Sequence, residues 1–154
     1  TVGSDGAAQA FMSRCYLIDT NVVVAGVLAS QADSATARVL DGMLLAAFPF
    51  VLSPLLLAEY RAVLLRPKIQ KAHGLTPDQV DAVLTDVALA GILVDPEPGV
   101  SSLQAPDPGD QFLWDLLEQR PGLERVTGDL RLLQDSAMRP LVITPRMLIE
   151  RAGH

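Results

Sequence analysis

The sequence predicts an α/β fold with a central, mainly parallel sheet of four to five strands flanked by helices. Two observations lead there. Short apolar runs bounded by turn residues alternate with longer segments of helical spacing. The helical segments also open repeatedly on a hydroxyl residue followed by proline, at 53–54, 76–77 and 144–145. That pair is the signature of an N-cap with a first-turn proline. Strands that alternate with helices imply parallel pairing, with both faces of the sheet covered.

Taken in order, residues 14–18 read as a short strand, and 20–28 as the helix that follows it. The segment "SATARVLDGMLLAA" has helical spacing, with Ala37, Leu40, Leu44 and Leu45 able to share one face. "FPFVL", residues 48–52, is the second strand. Ser53 and Pro54 then open a helix that runs to about Leu65. "RPKIQKAHG" reads as a helix end and loop, with His73 a solvated residue before a glycine turn. "TPDQ" places Gln79 at the capping-box position of a helix reaching Ala90, and Gly91 stops it. "ILVD" is the third strand. Residues 95–109, rich in proline and glycine, are the most loop-like stretch. A helix is expected over 111–118, a fourth strand in "RVTGD", and a fifth strand with a last capped helix in "LVITPRMLIERA".

A length of 154 residues suits one domain that buries about two-thirds of its unfolded surface. Hydrophobic residues make up 49% and charged residues 19%, which is the composition of a packed domain rather than a disordered chain. Residues 1–13 read as a flexible N-terminal leader and 14–154 as the folded domain. The leader has neither the basic start nor the apolar core of a secretory signal. No apolar run reaches the roughly 18 residues of a membrane span. Cys15 is the one cysteine, which cannot form an internal disulfide and fits a reducing cytoplasm. With two histidines, His73 and His154, the chain has no Cys/His zinc pattern and little basis for a Ser-His-Asp or Cys-His catalyst. A net charge of −6 opposes non-specific binding to nucleic acid. Carboxylates gathered around divalent cations, however, would not repel a phosphate as free ones do.

The placement of the acids carries the chemistry. In parallel sheets, ligands bind beyond the carboxyl ends of the strands, and Asp19 and Asp129 fall at two such ends. Each could equally be a turn residue or the cap of the next helix. Glu59 interrupts the apolar stripe of "PLLLAEYRAVLL", four residues after Leu55 and three after Leu56. A charge there needs a cation, or an intramolecular ion pair, to be buried. Asp110 opens a helix, where any aspartate would favour the dipole, and Asp107 adds an acid three residues earlier. Together they form a set of hard oxygen donors suited to Mg²⁺ or Mn²⁺. Such ions can activate water against a phosphodiester without a histidine or lysine base.

"YLIDTNVVVAGVL", "SPLLLAEYRAVLLRPKI", "PDPGDQFLWDLL" and "VTGDLRLL" resemble, in order and spacing, the PIN-domain family. Within it they look most like the VapC-like toxin ribonucleases of bacterial toxin–antitoxin pairs. The resemblance spans residues 14–148 and implies a PIN-like fold. It also implies a catalytic and metal-binding quartet of Asp19, Glu59, Asp110 and Asp129 that holds Mg²⁺ or Mn²⁺ for RNA cleavage. By the same resemblance Asp107 is an additional metal-site acid, and Asn21 and Thr127 are supporting polar residues. The sequence departs from the family pattern at Trp114 and in "EQRPGLERV", which replaces an Ala- and Gly-rich lead into the fourth strand. Neither departure falls on the quartet, so both are expected to bear on substrate placement instead.

Ten arginines against two lysines offer planar phosphate donors. Arg61, Arg66, Lys68 and Arg131 are the candidates for RNA contact, and a surface salt bridge is the competing role for each. The resemblance further implies a cognate antitoxin and a homodimer. The low-charge helices at 35–48 and 75–91 are possible contact surfaces that could equally be ordinary core. A second reading is a non-catalytic PIN-like module that binds RNA or protein. A dehalogenase-type phosphatase would want an aspartate where Asn21 stands. A receiver domain would want an acidic pair by its first strand and a well-placed lysine, which are not evident.

Overall fold

The structure, a computed structural model, describes residues 14–94, 122–134 and 142–153. The predicted helix at 111–118, together with Asp107, Asp110 and Trp114, lies outside the described residues. Strand β1 (Cys15–Ile18) is buried along its whole length, as befits a parallel strand covered on both faces. Asp19 then adopts extended backbone and caps helix α1 (Thr20–Leu28), accepting from the Thr20 amide. Helix α2 (Ala35–Leu44) is capped by Ser34. Gly26 lets α1 and α2 approach closely, since a Cβ there would sit 2.8 Å from the Thr36 carbonyl and 2.9 Å from Leu40 Cβ.

Strand β2 (Val51–Leu52) leads into α3 (Pro54–Leu64), whose cap Ser53 Oγ accepts from the Leu56 amide at 3.1 Å. Residues read as helix end and loop instead form a separate helix, α4 (Pro67–His73), which ends on Gly74 at φ 74°. Pro67 ends one helix and begins the next, because a proline at the first helical position loses no hydrogen bond. His73 is also corrected from solvated to structural. Its Nε2 donates to the Leu64 carbonyl at 2.8 Å and its Nδ1 accepts from the Leu75 amide at 2.9 Å. A carbonyl only accepts and an amide only donates, so the partners set the tautomer. The capping box is present at the start of α5 (Pro77–Ala90), with Thr76 and Gln79 bonding each other's backbone. Strands β3 (Ile92–Leu93), β4 (Leu123–Val126) and β5 (Val142–Ile143) and helices α6 (Leu130–Gln134) and α7 (Pro145–Gly153) complete the described elements.

All strand pairings among the described residues are parallel. The expected single sheet of four to five strands is corrected: the described strands form a three-stranded sheet in the order β1-β4-β5 and a two-stranded sheet of β2 and β3. Between them lies one isolated bridge, Tyr16 to Phe50, with the Tyr16 amide donating to the Pro49 carbonyl at 3.0 Å. Pro49 has no N–H to return, and the chain turns into α3 within two residues of Leu52, so no ladder develops across the junction. The core runs from Leu17, Ile18 and Val126 through Val22, Val39 and Met43 to Leu52, Leu56 and Leu64, all essentially inaccessible. In the register Leu17 faces Arg125 and Ile18 faces Val126. The chain therefore leaves β1 and β4 at the same edge.

Candidate active site

Parallel pairing brings Asp19 and the Thr127-Gly128-Asp129 turn together, although more than a hundred residues separate them. The Asp19 amide donates to the Val126 carbonyl at 2.9 Å and the Thr127 amide to the Ile143 carbonyl at 3.0 Å, so the three strand ends are joined by backbone. Asp19 is buried. Its Oδ1 accepts from the Thr20 amide at 2.9 Å. Its Oδ2 accepts from Thr127 Oγ1 at 2.8 Å, from Arg125 Nη2 at 2.9 Å and, at 3.4 Å, from Asn21 Nδ2. Thr127 Oγ1 in turn accepts from the Asp129 amide at 3.0 Å. The Asn21 side-chain Oδ1 accepts from the Gly128 amide at 3.4 Å. Asn21 and Thr127, expected as supporting residues, thus tie the two turns into one network.

The same strand end is held from α3. Tyr60 is fully buried and its hydroxyl donates to the Ile18 carbonyl. Burial, and then the negative charges of Asp19 and Glu59, push the phenol well above its ordinary pKa. Glu59 is half-buried, with one carboxylate oxygen out of contact with solvent. Both acids therefore act on the hydroxyl that anchors β1.

Asp129 stands apart in its partners. Its Oδ1 accepts from the Arg131 amide at 2.9 Å, and its Oδ2 lies 2.9 Å from Arg131 Nη2. These bonds hold the carboxyl below its ordinary range. Among the proposed RNA contacts, Arg131 is thus engaged with a candidate site acid. Arg61 forms a two-point pair with Asp81, at 2.7 and 3.3 Å, on the exposed face of α3. Arg66 and Lys68 are exposed at the start of α4. A cleft of about 380 Å³ opens beside the turn, lined by Asn21, Val22, Ala25, Thr36, Gly128, Asp129 and Pro145. A larger cavity of about 1000 Å³ lies at the opposite ends of the strands, and its described lining, which includes Arg14, Phe48, Pro49 and Arg151, has no carboxylate.

Arg125 is the site residue that sequence reasoning missed. It is 1% exposed and pairs with Asp19. A signal was present, because it lies within "EQRPGLERV", the lead into the fourth strand that departs from the family pattern. That departure was expected to leave the quartet untouched, and the structure corrects this: Arg125 contacts Asp19 directly. In the strand Leu123–Val126 the arginine shares its face with Leu123, opposite Glu124, and it becomes a site residue only once β4 sits in the middle of its sheet.

The oxygens of Asp19, Asn21, Thr127 and Asp129 are the donor type that a hard divalent cation takes. The hydroxyl of Thr20 is buried and makes no hydrogen bond among the described residues. Yet no group of three or more acidic, His or Cys side chains is placed to hold a metal ion among the described residues. Instead, Asp19 and Asp129 each face a guanidinium. The described residues therefore do not by themselves make up a metal site.

Among the described residues, no helix is long and apolar enough to cross a membrane. No curated protein and no solved structure matches the chain. A family model described as PIN domain matches residues 15–120, which include Asp19, Glu59, Asp107 and Asp110 and stop short of β4. This match covers well over half of the chain, and with the parallel α/β architecture it establishes that the chain belongs to the PIN-domain family, generally a nuclease fold.

Proposed function

We propose that the protein is a divalent-metal-dependent endoribonuclease and the toxin component of a type II toxin–antitoxin pair. The observation that carries this reading is the linkage of Asp19 to Thr127 and the Asp129 turn, across 108 residues, at the carboxyl edge of a PIN-domain sheet. In this reading Asp19, Glu59, Asp110 and Asp129 are the catalytic acids, with Asp107 assisting. Bound Mg²⁺ or Mn²⁺ would supply the activated water and neutralise the charge developing on the phosphodiester. The chain's own residues do the rest. Thr127 and Asn21 fix the Asp19 carboxylate, and Tyr60 holds the end of β1 that carries it. Arg61, Arg66 and Lys68 lie outside this network and, with Arg131, which pairs with Asp129 at its edge, contact the RNA backbone. An antitoxin covers the acidic edge, and a second copy packs against α2 or α5.

The test is cleavage of RNA by the purified protein in Mn²⁺ or Mg²⁺, compared with Asp19→Asn and Glu59→Gln. Each variant is expected to lose at least about a hundredfold in rate, as expected when a group that stabilises the transition state is removed. Metal-dependent cutting that survives both substitutions would sink the quartet. Replacing Arg61 and Arg66 together should weaken RNA binding and flatten its salt dependence. A second reading, a non-catalytic RNA- or protein-binding module, is favoured by one observation: both described aspartates of the turn network are paired with arginine. RNA binding without cleavage at any Mn²⁺ or Mg²⁺ concentration would establish it.

A further inference from the structure

The cavity at the starts of the strands takes no part in the acidic edge. Its wall is held together at the junction of the two sheets. There the Tyr16 amide donates to the Pro49 carbonyl at 3.0 Å, and the Tyr16 and Phe48 rings meet edge to face with centroids 5.9 Å apart. Both residues are buried, and Ala47, Ala90, Ile92 and Ala152 extend the apolar lining. A volume of about 1000 Å³ lies at the upper end of the range for small-molecule sites. Such sites combine an apolar wall with a few placed polar groups.

The charged groups in the described lining are two guanidiniums. Arg14 is exposed and its side chain has no hydrogen-bond or ion-pair partner among the described residues. Arg151 Nη1 lies 2.7 Å from Glu124 Oε1. The Tyr16 hydroxyl, and then Glu124, hold that guanidinium above its ordinary range. Two arginines less one glutamate leave a single positive charge here, on a chain whose net charge is −6. An apolar wall with one uncompensated positive charge matches one ligand chemistry, an apolar body with a single anionic head. A guanidinium takes a carboxylate through two parallel N–H···O bonds, and a monoanion balances the charge without excess.

We propose that this cavity is a binding site for an amphipathic monocarboxylate, whose head pairs with Arg14 and whose apolar body lies against Tyr16, Phe48 and Ile92. Burial of the body supplies most of the affinity, and the guanidiniums select the head. Arg151 is the second positive charge, and its pairing with Glu124 sets how much of it the ligand meets. The acidic edge lies at the other ends of the strands, so the inference goes beyond the nuclease reading and does not depend on it.

The experiment titrates octanoate into the isotope-labelled full chain and follows the amide chemical shifts. Octanol and octyltrimethylammonium present a neutral and a cationic head on the same body. Octanoate is expected to move the amides of Tyr16, Ala47, Phe48 and Ile92. It should bind about fivefold more tightly than octanol, as for a charge pair still in contact with water, and the cation should bind most weakly. Arg14→Met should bring octanoate down to the affinity of octanol. Glu124→Gln releases Arg151 and should tighten octanoate while leaving octanol unchanged. Ala47→Trp puts a large ring into the cavity from an exposed position and should weaken both. Octanol that binds as tightly as octanoate overturns the proposal, as does octanoate that fails to bind or moves only amides away from the lining. Octanoate affinity that is unchanged in both Arg14→Met and Glu124→Gln overturns it too. A dimer whose formation moves the same amides and is indifferent to octanoate assigns this face to a second copy and overturns the ligand site.

Discussion

Asp19 and Asp129 each follow a strand and each has an arginine nitrogen 2.9 Å from a carboxylate oxygen, yet the two pairs sit in different solvents. The side chains of Asp19 and Arg125 are 9% and 1% exposed, whereas those of Asp129 and Arg131 are 23% and 73% exposed. Distance is therefore a poor guide to what either pair is worth. In the first pair neither charge has water to fall back on, so each depends on the other and on the surrounding hydrogen bonds. In the second, Arg131 is mostly hydrated and screened, and its pairing is easily exchanged for a phosphate or a salt ion. One aspartate is held as part of the fold, and the other is held ready for exchange.

The comparison breaks most visibly if one buried charge is removed. Arg125→Met should cost about 3–5 kcal/mol, because the Asp19 carboxylate then stays buried without its ion pair. Urea unfolding measures this, and a loss under about 1 kcal/mol would place the pair in the surface class. Next in size is Tyr60→Phe, which leaves the Ile18 carbonyl without its donor and should cost about 1–2 kcal/mol at neutral pH. The raised phenol pKa makes a further, signed prediction. The folded state favours the protonated phenol, so its contribution is complete below the ordinary value of about 10 and falls as pH rises through the higher folded value. The stability gap between wild type and Tyr60→Phe should therefore narrow above about pH 10. A gap that stays constant from neutral pH to beyond that point would contradict the assignment.

Arg131→Ala should have the smallest effect, under about 1 kcal/mol, and less still in high salt. The carboxyl of Asp129 is held low by Arg131, so this contribution is present above the ordinary carboxylate value and is lost as pH falls through the lowered one. Stability curves of wild type and Arg131→Ala should accordingly converge below about pH 4. An Arg131→Ala cost as large as that of Arg125→Met would erase the distinction between the two pairs.

Local chemistry made much of the fold readable. Helix α1 spans the expected residues because Asp19 and the apolar run after it specify a cap and a buried helix within one short segment. The start of α5 was legible because both halves of its capping box lie within four residues. Helix α4 was hidden for the opposite reason, since Arg66 makes no side-chain cap and Pro67 looks like a terminator. His73 was misread because one of its two partners, Leu64, lies nine residues away across a helix junction. The sheet was overestimated because apolar runs show which segments can be strands, and a run cannot show whether neighbouring backbones extend in register long enough to pair.

The candidate site divides along the same line. The sequence by itself determined the acids, their positions after strands or within an apolar helix stripe, and the membership of the chain in a nuclease-like family. Those properties follow from residue type and short-range spacing. Only the tertiary structure decided which partners the acids have. Parallel pairing of β1 with β4 sets Arg125 beside Asp19 across 106 residues of chain, whereas Arg131 meets Asp129 two residues away. The nearer pair could be guessed from the chain alone. The distant one exists because Arg125 is buried at its place in the middle of the sheet, with the Asp19 carboxylate within hydrogen-bonding reach.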